Sequence, residues 1–262
     1  MSEADPPYRT RPFPAARQTV VEAGRLGIGR PLIHGLLEID VTRPRAFLRA
    51  HKARTGETLS FTAFVVACLA RALHRHPALN AYRNWRNQIV SFTDVDVVTL
   101  VETEADGVAL PHILRAAQSR SYRALHDELR QVQARPARSQ QPGGLVRLAP
   151  YAPAWSRALF YWSLRQNPHW LKRFAGTTLV TALGMFGAGA GWGFGFLPLH
   201  TLGLTIGGIA QRPSVEAGQL VQREMLCLTI SVDHDLVDGA PAARFAQHLR
   251  ELLEQGEVLS EA

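Results

Sequence analysis

His234 stands between two carboxylates, Asp233 and Asp235, and Asp238-Gly239 follows four residues on. Imidazole is the side chain whose ordinary pKa lies closest to neutrality, so it can take a proton in one step and return it in the next. A general base must also be held in place. The alternating run from Met225 to Val232 predicts a half-buried strand that delivers His234 to its tip. Asp238-Gly239 predicts a tight turn, and PAARFAQHLRELLEQ a helix that closes the loop from the other side.

The chain that must position this loop has 262 residues, is 46% hydrophobic and 19% charged, and so can bury a sizeable core. Its two cysteines, Cys68 and Cys227, are far apart in apolar surroundings. They predict buried thiols in a reducing, cytoplasmic setting and no metal site. The N-terminal MSEADPPYRTRPFPAARQ has no apolar core of a signal peptide. The net charge of +7 comes mostly from arginines scattered along helices, without a basic block interleaved with aromatics. No nucleic-acid partner is expected, although a phosphorylated small ligand would suit the excess. Residues 174–211 carry no formal charge, yet ten glycines and Pro198 interrupt them. They predict strand, glycine-rich loop and strand inside a protein core, with no membrane partner.

Residues 1–20 predict an extended arm and 21–262 one domain. Within it, 32–41 predicts a strand, Thr42 a helix cap, and Gly56 that helix's end. Ser60 caps FTAFVVACLARALHRH, apolar nearly all round and therefore central. Residues 88–101 predict two strands across a turn near Asp94, VALPHILR a strand, and Ser121 the start of an amphipathic helix. Residues 135–150 read as a loop, and AWSRALFYWSLRQNPHWLKRF as a helix broken at Pro168. TTLVTAL, LHTLGLTIGGIA and EMLCLTISVDH complete the strands. Strands and helices intermingle without a strict βαβ repeat, which favours a mixed-sheet α/β domain.

Taken together, several of these segments carry a resemblance. DHDLVDGAPAARFAQHLRELLE resembles the C-terminal signature of the catalytic domain of 2-oxoacid dehydrogenase dihydrolipoyl acyltransferases, whose fold is that of chloramphenicol acetyltransferase. RPLIHGLLEIDVT, SFTAFVVACLARALHRHPALNAY, TTLVTALGMFG and LGLTIGGIAQRP resemble further family segments in the same order. The resemblance implies a stand-alone α/β acyltransferase with no lipoyl domain and no covalent lipoyl on this chain. It also implies a homotrimer or higher assembly with sites between subunits, coenzyme A or acyl-coenzyme A as substrate, and a small-molecule acyl acceptor.

By the same resemblance His234 is the base that deprotonates the thiol. Thr181 takes the place of the family's oxyanion-stabilising serine. Asp238 is the aspartate that pairs with an N-terminal arginine, for which Arg25 and Arg30 are both candidates. One departure stands beside the base: the family has arginine after the histidine, and this chain has Asp235. The alternative to an enzyme is a non-catalytic trimeric or cage-forming scaffold on the same fold. His34, His112 and His200 predict core or interface roles, and Phe160, Tyr161, Trp162 and Trp170 predict packing. The glycines from 187 to 195 lack the order of a phosphate-binding loop.

Overall fold

A computed structural model describes residues 13, 15–101, 110–135, 152–183 and 189–261. Its centre is the helix α3, Phe61–His74, following α1 (Ala15–Gly27) and α2 (Thr42–Thr55). The Ser60 hydroxyl accepts the Ala63 N–H at 3.2 Å and starts α3 as expected. From Ala63 to Leu73 every residue but Arg71 is buried. A helix apolar all round needs neighbours all round. α4 (Tyr122–Ala134), the C-terminal α7 (Gly239–Gln255) and one face of a sheet supply them. Each fully buried side chain there, such as Phe64 or Leu69, contributes about 1.5–3 kcal/mol.

The sheet contains β1 (Leu32–Asp40), β4 (Val97–Val101), β5 (Leu110–Leu114), β6 (Thr178–Ala182), β7 (Leu202–Glu216) and β8 (Gln219–Asp233) in the order β1-β8-β7-β6-β4-β5. β6 lies parallel to both β4 and β7, and the other pairs are antiparallel. This is the mixed α/β sheet expected. Short strands β2 (Ala81–Arg83) and β3 (Ile89–Ser91) form a separate hairpin. Between α4 and β6 the chain forms α5 (Ala154–Gln166) and α6 (Pro168–Ala175), with Asn167 capping α6 ahead of Pro168.

Some boundaries differ from expectation for local reasons. The described part of the N-terminal arm is not extended: residues 15–20 open α1. Thr42 does not cap α2; Asp40 accepts its N–H, and its hydroxyl accepts the Glu224 N–H at 2.8 Å, pinning β8. β7 and β8 continue past the sheet as a two-stranded ribbon that turns at Ala217-Gly218, both at positive φ. Both faces of that ribbon meet solvent, so no apolar alternation announces it. The loop expected over 135–150 lies, apart from Arg135, outside the described residues.

The sheet face away from α3 carries a glycine-rich strap, residues 189–198. β7 bulges there, with Gly207 and Gly208 inserted between Ile206 and Ile209 opposite Cys227. A methyl on Gly208 would overlap the Gly189 carbonyl, and one on Gly207 the Gly191 carbonyl. The Gly208 N–H donates to the Gly191 carbonyl at 2.8 Å, and Trp192 Nε1 donates to Leu37 O. The strap thus lies backbone against backbone.

Candidate active site

Asp233 is the last residue of β8, level with Leu32 at the start of β1. Its side chain is buried, and Arg30, two residues before that start, closes on it through Nε at 3.1 Å and through Nη2. The other carboxylate oxygen accepts the Asp235 N–H at 3.1 Å, and the Asp233 carbonyl accepts from Leu236 and Val237. The His234 N–H donates to Pro31 O at 2.8 Å. Main chain on both sides of His234 is therefore fixed while its imidazole, 44% exposed, points outward. A positioned base needs this combination.

Of the two arginines proposed for Asp238, Arg30 pairs with Asp233 instead, and Arg25 makes no ion pair among the described residues. Asp238 is the residue before α7, with its side chain 86% exposed and Oδ1 3.8 Å from His234 Nδ1. That separation exceeds a hydrogen bond. The arginine pairing expected of Asp238 is made by Asp233 instead, because the end of β8 lies beside Arg30. Asp235 faces Arg83 of β2 at 3.8 Å. Arg30, Arg83, Trp85, Arg165 and Asp235 border a cleft of about 400 Å³ that opens beside the loop. The sequence marked Asp233 only as a neighbour of His234 and did not mark Arg83; the signal available for the pairing was Arg30 placed just ahead of a strand that must pair with β8.

Thr181 lies on β6 in a row that crosses the sheet, Thr181–Thr205–Thr229. All three point to the strap side. The Thr205 hydroxyl accepts the Gly195 N–H at 3.0 Å, and Gly195 packs on the Thr181 methyl. The Thr181 hydroxyl has no hydrogen-bond partner among the described residues. Thr229, level with Thr181, is five residues from His234, so about 3.3 Å per residue leaves Thr181 roughly 17 Å short of the base along the strands. One chain does not bring the two together.

The three other histidines singled out in the sequence make local contacts. His200 is buried and donates Nε2–H to Ala175 O at 2.6 Å; burial pushes its pKa down to about 4, so it stays neutral. His112 meets Glu128 at 2.8 Å, and His34 meets Ser231 Oγ at 2.8 Å with its ring edge-on to Phe194. The packing reading holds for Phe160 and Tyr161, which touch each other, but not for Trp162 and Trp170, which are exposed.

Glu57, His126 and Asp127 gather within 4.8 Å, as metal ligands do. However, His126 Nδ1 accepts the Ser60 N–H, which leaves the proton on Nε2, the atom facing Glu57. Arg123 bonds Glu57 at 2.8 Å and holds its carboxyl down to about 2. The cluster is an ion-pair network and does not fit a cation.

The family model for the 2-oxoacid dehydrogenases acyltransferase (catalytic domain) matches residues 15–141 and 165–260. The lipoamide acyltransferase component of the branched-chain alpha-keto acid dehydrogenase complex of Pseudomonas putida is 30% identical over 226 residues, 83% of this chain and 45% of that protein. The chain spans about half the length of the curated relatives it matches. Among solved structures, a probable dihydrolipoamide acetyltransferase from Listeria monocytogenes aligns with a TM-score of 0.75 at 19% identity, covering 95% of each chain. A chloramphenicol acetyltransferase aligns at 0.53 and 13% identity, covering 94% of this chain and all of that one. The fold is that of these acyltransferases, and the chain belongs to the family of 2-oxoacid dehydrogenase acyltransferase catalytic domains.

Proposed function

We propose that the chain is a coenzyme A-dependent acyltransferase in which His234 is the general base. The observation that carries this is the loop itself: main chain locked by Pro31 and the Arg30–Asp233 pair, imidazole outward. A thiol with a pKa of ~8.5 is mostly protonated at neutral pH, so a base within reach is needed. His234 takes the thiol proton as sulfur attacks the acyl carbonyl. The tetrahedral oxyanion needs a donor, and the free Thr181 hydroxyl supplies one. Collapse expels the acceptor, which leaves with the proton from His234, and the acyl group ends on sulfur. Run backwards, the same steps load the acceptor.

Because Thr181 and His234 lie apart within one chain, the site is read as shared between copies, His234 from one and Thr181 from the next. That reading supports a homotrimer or larger assembly. Asp235, facing Arg83, borders the cleft where a small-molecule acceptor would enter.

The test is release of free coenzyme A from acyl-coenzyme A with a panel of thiol, hydroxyl and amine acceptors. His234→Ala is expected to lower the rate by about 10²–10⁴-fold and to leave the assembly unchanged by light scattering. Full activity in His234→Ala would remove it as base. No release from any donor, together with intact large assemblies, would favour the scaffold reading.

A further inference from the structure

We propose that the face formed by α5, α6 and the tip of the β2–β3 hairpin docks on an anionic lipid surface. Trp155, Leu159 and Trp162 of α5 follow one another at helical spacing and share a stripe about 60° wide. They are 57–72% exposed, whereas Leu164, on the opposite side of α5, is buried. The large apolar residues of this helix thus turn partly away from the protein, which water alone does not favour. The Trp85 N–H donates to Gln166 O and brings the hairpin tip to the end of α5, and α6 adds half-exposed Trp170. Four of the chain's five tryptophans therefore sit on these three elements.

These segments themselves carry charge of one sign. Residues 152–175 contain three Arg and one Lys and no Asp or Glu, and residues 81–91 contain no acid either. Arg86 stacks on Trp85 at 4.7 Å, and Arg165 and Arg173 are exposed. Carboxylates that reach these elements are already matched: Glu22 by Arg157, Asp94 by Lys172, Asp96 by Arg115, Asp235 by Arg83.

Tryptophan rings settle at the headgroup level of a bilayer, and exposed arginines beside them are drawn to anionic headgroups. A two-fold pairing of this face with its equivalent on a second copy would set these arginines against each other with no acid between. Moreover, residues 142–164, which hold the stripe, fall outside the ranges the family model matches. No helix among the described residues is long and apolar enough to cross a bilayer; this surface would lie on one.

The full chain is sedimented with phosphatidylcholine vesicles, with and without about 30 mol% phosphatidylglycerol. Binding is expected only with the anionic lipid. Arg86→Gln and Arg165→Gln should each weaken it about fivefold, and Trp155→Ser with Trp162→Ser by about tenfold or more. Leu159→Ser, also on the exposed stripe, should act in the same direction. No binding at low salt would overturn the proposal. So would binding that the tryptophan pair leaves unchanged, which is adsorption of a cationic protein only. Dissociation of the vesicle-free assembly by the tryptophan pair would assign the stripe to a contact between copies and overturn it as well. None of these readouts depends on acyl transfer.

Discussion

The two faces of the six-stranded sheet are closed by opposite means. Toward α3 the strands present Val180, Leu204, Ile206, Leu226, Leu228, Ile230 and Val232, a layer of bulky aliphatics against helices. Toward the strap they present Thr181, Thr205, Thr229 and Ser231, together with His34, which is exposed and meets the Phe194 ring edge-on. The helix face gains its stability from buried apolar area, which tolerates exchange among aliphatics of similar volume. The strap face gains little area. It depends on close backbone approach and on single contacts such as the Gly195 N–H on the Thr205 hydroxyl, so it tolerates almost no added atom. The proposed oxyanion donor, Thr181, belongs to that second face, and Arg30 joins the face to the base loop. It holds Asp233 with one edge and donates to Pro198 O, at the strap's end, with another.

Breaking that junction should have the largest effect. Arg30→Ala leaves the Asp233 carboxylate buried without its cation, which costs about 3–5 kcal/mol. Urea unfolding should show a lower midpoint, and acyl transfer should fall in the fraction still folded because the His234 main chain is released. An unchanged midpoint would mean that Asp233 finds another partner.

A smaller effect isolates the strap. Gly208→Ala places a methyl against the Gly189 carbonyl, so the strap must lift or β7 must shift. Overpacking of this kind costs about 1–3 kcal/mol. Because Gly195 rests on Thr181, the variant should reduce the acyl-transfer rate more than His234-side geometry alone would predict. Hydrogen exchange confined to residues 189–198 would show the strap as the part that moved.

How far the sequence led differs in the same way. The aliphatic face was legible because its residues alternate along strands and surround an all-apolar helix. α3, β8 and α7 stand where periodicity puts them, and His234 at a strand tip follows from those elements. The strap face was not. Asp233, Asp235 and Asp238 are alike in type and crowded into six positions. Only the antiparallel register of β1 on β8 selects Asp233 as the partner of Arg30. The glycines from 187 to 195 showed no phosphate-loop order, but what Gly189 and Gly191 do requires the bulge at Gly207-Gly208, which no local pattern marks. The β7–β8 ribbon was missed because it has no buried face to alternate against.

The smallest prediction sharpens the contrast by changing sign. Thr229 is fully buried on the strap face, and among the described residues its hydroxyl has no hydrogen-bond partner. A buried, unpaired hydroxyl costs free energy that an isosteric methyl does not. Thr229→Val should therefore stabilise the protein, by up to about 1 kcal/mol, a rise readable in the urea midpoint. Thr205→Val, in the same row, should do the opposite, because it removes the acceptor of the Gly195 N–H and strands that donor under the strap. If both valines destabilise alike, Thr229 has a partner that forms in the assembled protein, and the row of three threonines works as one unit in which Thr181 is not the only hydroxyl that is used.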